Sequence, residues 1–171
     1  MKATSNPTGL SDRQLYEAVH GRMRALAGPA ANDLDELIQM AAMQTFSSIH
    51  RYDASSCSLT TWIYAVCYRV LLSQRRWYRR WRVRFSYWDG EDPPNDQPTP
   101  TELLEARDRS RALHRALARL SDKYRAVIVL HDLEERSVAE IAQIVGAGEL
   151  TVRSRVRDAR TQLATLLREG A

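Results

Sequence analysis

The side chains that most often act as nucleophiles, bases or metal ligands are scattered in this sequence. No cysteine or carboxylate stands at ligand spacing from the histidines, which are His20, His50, His114 and His131. Cys57 and Cys67 are too few for a disulfide framework and have no metal-ligating partner at short spacing. The sequence contains no glycine-rich phosphate loop, no HExxH and no GxSxG. We therefore predict that the chain is not an enzyme and that it needs no metal or cofactor.

Arginine is the residue type whose pattern does suggest chemistry. The segment from 75 to 84 contains no acid and reads RRWYRRWRVR. Guanidinium groups bind phosphates and aromatic rings stack on bases, so this mixture is typical of proteins that bind single-stranded nucleic acid. Two other interpretations stay open. The aromatic residues could pack in a core while the arginines face water, or the segment could form a helix at a membrane surface.

A second group of arginines follows a predicted turn between two helices. Ser137 and Glu140 have the spacing of a capping box, which predicts a helix that starts near Val138. Gly146 is expected to end that helix, because a positive φ costs glycine little. The first helix and the turn should therefore hold the following helix at a defined angle.

The helix after this turn is predicted from apolar residues that recur every three or four positions, namely Val152, Val156, Ala159, Leu163 and Leu166. Its other face carries Arg153, Arg155, Arg157 and Arg160. The two helices fit a helix-turn-helix, whose second helix enters the major groove of DNA. The alternative is an ordinary helical hairpin with a solvated arginine face.

We predict an all-α protein with two small helical domains. Before residue 88 we expect a helix capped by Ser11 that ends at Ala27, one that starts at Asn32 or Asp33, and one that runs into the arginine segment. Asp89 to Thr101 is rich in proline and aspartate, which is typical of an exposed, flexible linker. The predicted organisation is a disordered tail (1–9), a first domain (10–88), a linker (89–101) and a helix-turn-helix domain (102–171).

The charge balance indicates a polyanionic partner. Lys and Arg total 25 and Asp and Glu total 21, which gives a net charge of +4. The low cysteine content favours a reducing compartment. We find no signal peptide and no apolar run long enough to cross a bilayer. We therefore expect a cytoplasmic protein without membrane insertion.

Two segments resemble a known family. DLDELIQMAAMQTF, with HRYD and CSLTTWIYAVCYR after it, resembles region two of the extracytoplasmic-function (ECF) group of bacterial sigma factors, within the sigma-70 family. LHRALARLSDKYRAVIVLHDLEERSVAEIAQIVGAGELTVRSRVRDARTQL resembles region four of the same proteins. The resemblance implies a subunit without enzymatic activity that binds core RNA polymerase, directs it to promoters and opens DNA there.

The resemblance also implies three surfaces. By this resemblance, the clamp helices of the polymerase β′ subunit are expected to bind Asp35, Glu36, Leu37, Ile38 and Gln39. Capture of a flipped base of the minus-ten element falls on the segment from Asp53 to Thr60 and on Trp62, Ala65, Tyr68 and Arg69. Reading of the minus-thirty-five element falls on Glu149, Thr151, Arg153, Ser154 and Arg157. Because of their charge, we add to the minus-ten surface Arg75, Arg76, Arg79 and Arg80.

Four positions depart from the family pattern. Met40 stands where a glutamate is expected, Phe46 where a tryptophan is expected, and Leu150 where a glycine is expected. Tyr68-Arg69 stands where the family has arginine and asparagine. The first departure bears on core binding and the last on the base preference in the minus-ten element.

The implied partners are core RNA polymerase, through its β′ clamp helices and β flap, and promoter DNA. Whether an anti-sigma factor also binds is left open. The main alternative is a dimeric helix-turn-helix regulator, which would bind a palindromic site without the polymerase. A weaker alternative is an RNA-binding or structural protein that uses the arginine-rich segment.

Overall fold

A computed structural model of the 171-residue chain describes residues 7–28, 33–84 and 112–169, without the side chains of 75–84. The N-terminal half contains α1 (Asp12–Ala27), α2 (Leu34–Ser48), a 3-10 turn (Ile49–Arg51) and α3 (Leu59–Arg84). The C-terminal half contains α4 (112–119), α5 (Asp122–Ile128), a π-helical turn (Val129–Leu133), α6 (Val138–Val145) and α7 (Glu149–Glu169). These residues form no strand, and the predicted all-α fold is confirmed.

Helix ends follow the capping residues of the sequence. The backbone N–H of Gln14 donates to Ser11 Oγ, and Gln14 Oε1 accepts from the Ser11 N–H. Ser137 and Glu140 form the same reciprocal pair. The Glu140 N–H donates to Ser137 Oγ at 3.2 Å, and the Ser137 N–H donates to Glu140 Oε2 at 3.0 Å. Gly146 ends α6 in the left-handed region, at φ 62°. The predicted start and end of α6 are thus confirmed.

The core of the N-terminal half is built from one stripe of each helix. On α1 the stripe is Leu15, Val19, Met23 and Leu26, all completely buried. It packs against α2 and α3, which also contact each other. Arg22 strengthens the corner between α1 and α3, because its guanidinium donates to Thr60 Oγ1 at 3.1 Å and lies 5.5 Å from the centre of the Tyr64 ring.

In the C-terminal half, α7 packs against α5 and α6 through Val152, Val156 and Ala159. The π-helical turn between α5 and α6 was not predicted. Backbone hydrogen bonds in this turn span five residues, as in the bond from the Glu134 N–H to the Val129 carbonyl oxygen at 3.0 Å. This turn ends the α5 segment and redirects the chain into the capping box of α6.

The two halves contact each other. The first helix of the helix-turn-helix, α6, packs on α3, and one continuous hydrophobic core includes residues of both halves. Arg125, only 5% exposed, donates from Nε to the carbonyl oxygen of Leu26 at 3.2 Å. Thr61 Oγ1 and Glu140 Oε1 are 3.5 Å apart. The linker predicted at 89–101 lies outside the described residues, and the predicted domain boundaries stay a prediction.

Candidate nucleic-acid interface

The outer face of α7 presents the residues assigned to minus-thirty-five reading. Glu149, Thr151, Arg153 and Arg157 are exposed, and Ser154 is half-buried. The side chains of Arg153 and Arg157 are 64% and 76% accessible. They project outward because Val152, Val156 and Ala159 turn the opposite side of the helix into the core. The structure therefore places all five predicted residues on α7, outside its buried stripe, with Arg153, Ser154 and Arg157 on one side of the helix.

Neighbouring side chains orient the two arginines. Glu149 Oε2 lies 3.6 Å from Arg153 Nη2, one helical turn away. Arg157 donates from Nε to Asp158 Oδ1 at 3.3 Å and from Nη2 to Ser154 Oγ at 3.4 Å. Exposed pairs of this kind are weak, about 0–1 kcal/mol, so a phosphate or a guanine can replace the carboxylate.

A basic cavity of about 370 Å³ continues this face. Its lining includes Arg153, Arg157 and Arg160, together with His131 from the π-helical turn. Arginines beside one concave surface can bind an anion such as a DNA phosphate once it replaces their carboxylate partners. Arg160 and His131 lie beside the predicted residues on this surface.

Asp132 fixes the position of Arg160. The Arg160 Nε donates to Asp132 Oδ2 at 2.9 Å, and its Nη2 donates to Oδ1 of the same carboxylate. His131 Nδ1 lies 2.6 Å from Asp132 Oδ1. The hydrogen bonds from Arg160 lower the pKa of Asp132 below its ordinary value, so the pair stays ionised at neutral pH. No local sequence signal reveals a pair of residues that are 28 positions apart.

The segment before α3 is fixed by hydrogen bonds to Asp53. Its carboxylate accepts from the Ser55 N–H at 2.9 Å and from the hydroxyls of Ser55 and Ser56, and these bonds lower the pKa of Asp53. Tyr52 donates to the Cys57 carbonyl oxygen at 3.2 Å, and its ring lies 5.8 Å from that of Trp62. Tyr52 therefore links the predicted base-capture segment, through Cys57, to Trp62 near the start of α3.

The residues assigned to the minus-ten surface differ in exposure. Arg69 is exposed, and Trp62 and Ala65 are half-buried. Tyr68 is only 3% exposed, and its burial raises the pKa of its hydroxyl. The charges of Arg155 and Asp122, from the C-terminal half, also act on this hydroxyl. In this arrangement of the two halves Tyr68 presents no surface to DNA.

The predicted phosphate contacts of the arginine segment lie on the distal part of α3, which extends to Arg84. The side chains concerned, Arg75, Arg76, Arg79 and Arg80, lie outside the described residues. Their role stays a prediction.

On α2 the predicted polymerase contacts divide into two groups. Asp35, Glu36 and Gln39 are exposed. Leu37 and Ile38 are 0% and 2% exposed, so they belong to the core and offer no contact surface here. Glu36 Oε1 accepts a hydrogen bond from Gln74 Nε2 of α3 at 3.2 Å. The prediction therefore depends on the three polar residues.

Sequence reasoning did not assign two exposed apolar residues of α2 to this surface. Met43 and Phe46 are 65% and 37% exposed. Along α2 the order is Asp35, Gln39, Met43 and Phe46, at intervals of four, four and three residues. This spacing places all four along one side of the helix. Apolar residues on the outer side of an amphipathic helix were the available signal, and they extend the predicted contact surface by two turns.

Among the described residues, no group of three histidine, cysteine or acidic side chains is arranged to hold a metal ion. Across the same residues, no helix combines the length and apolarity needed to span a membrane. Cys67 is completely buried, and burial raises the pKa of its thiol to about 12.

Comparison with known proteins supports the resemblance to sigma factors. The family profile described as Sigma-70, region 4 matches residues 110–163, which include α5, α6 and most of α7. The ECF RNA polymerase sigma factor SigL of Mycobacterium tuberculosis is 30% identical over 144 residues, which cover 84% of this chain and 79% of that protein. The corresponding SigE of Mycolicibacterium smegmatis is 29% identical over 157 residues, and the match spans 91% of this chain and 59% of SigE.

A solved structure supports the fold. The sigma factor RpoE of Bartonella quintana, determined in complex with the anti-sigma factor NepR, superposes with a TM-score of 0.69 at 21% identity. The match covers 91% of this chain and 93% of that one. Given these matches and the helix-turn-helix with its exposed arginine face, this chain belongs to the ECF group of RNA polymerase sigma factors, in the sigma-70 family.

Proposed function

We propose that this chain is the promoter-recognition subunit of RNA polymerase: it binds the core enzyme, directs it to promoters and assists in opening the DNA. The observation that carries this proposal is the exposed arginine face of α7, within the region that matches sigma-70 region 4. In a helix-turn-helix the second helix reads the major groove. We assign minus-thirty-five reading to this face and minus-ten binding to α3.

We assign core binding to the outer side of α2. Its acidic end, at Asp35 and Glu36, repels DNA phosphates, and its exposed Met43 and Phe46 favour a protein surface. The proposed partner is the pair of clamp helices of the polymerase β′ subunit. The β flap is proposed as the partner of the C-terminal half.

An anti-sigma factor is a further candidate partner. The RpoE structure was determined with such a protein bound. For the present chain this partner is proposed from likeness alone, and so is a cytoplasmic location.

Charge reversal on α2 tests the polymerase surface. Asp35→Arg combined with Glu36→Arg is expected to abolish recovery of core polymerase in a pull-down, because the positive charges oppose the proposed contact. The variant should stay folded, because both side chains are exposed, and its melting temperature should fall only slightly, through the loss of acidic charge in the first turn of α2. Asp12→Arg with Glu17→Arg on α1 is the matched control. If the α2 variant still recovers core polymerase, these carboxylates only stabilise the start of α2.

Gel shifts distinguish this function from the dimeric regulator. The free chain should bind duplex DNA weakly and without selectivity, whereas its complex with core polymerase should bind promoters selectively. Tight, selective binding of a palindromic site by the free chain would instead support the regulator.

A further inference from the structure

Leu150 is an apolar side chain left in water. It is 83% exposed, more than any other large hydrophobic residue in the described part of the chain. It occupies the second position of α7 and does not join the hydrophobic residues that pack on the core. Among the described residues, no packing contact therefore accounts for a leucine at this position.

The neighbours of Leu150 define what it faces. Arg153 and Ser154 follow it by three and four residues, so these side chains share one side of the helix. Glu149 forms an ion pair with Arg153, with 3.6 Å between Oε2 and Nη2. Leu150 is thus the apolar member of a basic face, at the end of the helix that comes nearest to base edges in a helix-turn-helix.

We propose that Leu150 contacts the C5-methyl group of a thymine in the minus-thirty-five element and selects thymine at that position. This inference rests on the proposed function of α7. The major groove displays a single apolar group, the thymine methyl, and apolar side chains recognise it by contact. The surrounding arginines favour DNA over an apolar protein surface as the occupant of this position.

The first test is an in vitro selection. Core polymerase carrying the parent chain or Leu150→Ala selects promoters from a library randomised across the minus-thirty-five element. We expect the parent to select thymine at one position and the variant to lose that preference. Leu150→Met should keep it, because methionine preserves an apolar side chain of similar length.

The second test removes only the methyl group. In the selected promoter each thymine of the element is replaced in turn by deoxyuridine. One replacement should weaken binding of the parent holoenzyme about three- to fivefold, as expected for a buried methyl group, and should leave Leu150→Ala unaffected. Leu133→Ala, which truncates an exposed leucine outside the helix-turn-helix, is the matched control and should respond like the parent.

Three results would overturn the inference. The parent could select no thymine, all deoxyuridine templates could affect parent and Leu150→Ala equally, or Leu150→Ala could weaken core binding while base preferences persist. In each case promoter-dependent transcription by the parent would leave the proposed function intact. Absence of such transcription would overturn the proposed function itself, and this inference with it.

Discussion

Glu135 is the single non-glycine residue with a positive φ in the described part of the chain, at 51°. It follows the π-helical turn, where the Arg136 N–H donates to the Leu130 carbonyl oxygen at 2.8 Å and completes the reversal of direction. The left-handed conformation costs a residue with a Cβ about 1–2 kcal/mol. The hydrogen bonds of the turn, rather than the conformational preference of glutamate, therefore determine the backbone conformation of Glu135.

Replacing Glu135 by glycine is expected to stabilise the protein by about 0.5–1 kcal/mol, because glycine adopts this conformation without strain but loses more entropy on folding. Gly146→Ala should have the opposite effect, a loss of about 1 kcal/mol, since φ there is 62°. Urea unfolding of both variants measures the two differences. A destabilised Glu135→Gly would contradict the strain assigned to this position.

The arginines of α7 should control promoter choice. Arg153→Ala is expected to lower transcription from a cognate promoter about tenfold and to relax the preference at one base pair, since a bidentate arginine–guanine contact contributes about 1–3 kcal/mol of discrimination. Core binding should not change. Arg168→Ala, at the far end of the same helix, is the control.

A promoter-variant panel identifies which arginine reads a base. If neither Arg153→Ala nor Arg157→Ala changes the base preferences, the two residues only position the protein on phosphates. Specificity would then depend on Glu149, Thr151 or DNA shape.

At the scale of elements, the capping box of α6 also serves the contact between the two halves. Glu140 accepts hydrogen bonds from the Ser137 side chain and backbone, and these bonds lower the pKa of Glu140. Its other oxygen lies 3.5 Å from Thr61 Oγ1 on α3. One carboxylate thus begins a helix of the helix-turn-helix and touches the opposite half.

This coupling predicts an acid-dependent loss of stability. The folded pKa of Glu140 lies below its unfolded value, so the stabilisation is complete above the unfolded pKa and is lost as pH falls through the folded one. Glu140→Gln keeps the cap but does not titrate. Its melting temperature should therefore fall less than that of the parent between about pH 5 and about pH 3. An equal fall would contradict the role of Glu140, and Glu17→Gln on α1 is the control.

The distal part of α3 belongs to this scale as well, because its predicted role depends on a run of arginines. Arg79→Ala with Arg80→Ala should weaken promoter binding by the holoenzyme similarly at all sequences. The slope of log affinity against log salt should decrease by about 0.9 for each phosphate that the variant no longer neutralises. Arg13→Ala on α1 should leave the slope unchanged. An effect confined to one promoter would indicate base contact instead.

Much of the secondary structure was predictable because its signals are local. Ser11 with Gln14, Ser137 with Glu140, and Gly146 each act within one turn of the chain. The π-helical turn was not predictable, because VLHDL continues the helical pattern of α5. In the candidate interface, the face of α7 followed from periodicity. The pairing of Asp132 with Arg160 and the burial of Tyr68 depend on residues distant in sequence, which leave no periodic signal.

At the scale of the whole molecule, the contact between the two halves sets a condition for the proposed function. Tyr68, assigned to the minus-ten surface, is buried, and Arg155 and Asp122 of the C-terminal half act on its hydroxyl. Promoter binding by Tyr68, as proposed, requires the C-terminal half to move away from it. The chain should therefore exchange contacts between its own halves for contacts with core polymerase and DNA.

Tyr64→Phe tests this exchange. Burial raises the pKa of the Tyr64 hydroxyl, and so does the interaction of this hydroxyl with Glu134 of the C-terminal half. Phenylalanine keeps the ring near Arg22 and removes that interaction. Because a polar interaction of this kind contributes about 0.5–1.5 kcal/mol, the apparent affinity for core polymerase should rise about two- to tenfold. Tyr16→Phe, on the exposed side of α1, is the control, and an unchanged affinity would show that opening does not limit core binding.

Run-off transcription with purified core polymerase tests the central claim most directly. Core polymerase with this chain should produce transcripts of defined length from a promoter selected with the holoenzyme, and core polymerase alone should not. Asp35→Arg with Glu36→Arg should abolish these transcripts. If core polymerase with the parent chain initiates no more specifically than core polymerase alone, the chain does not act as a sigma factor.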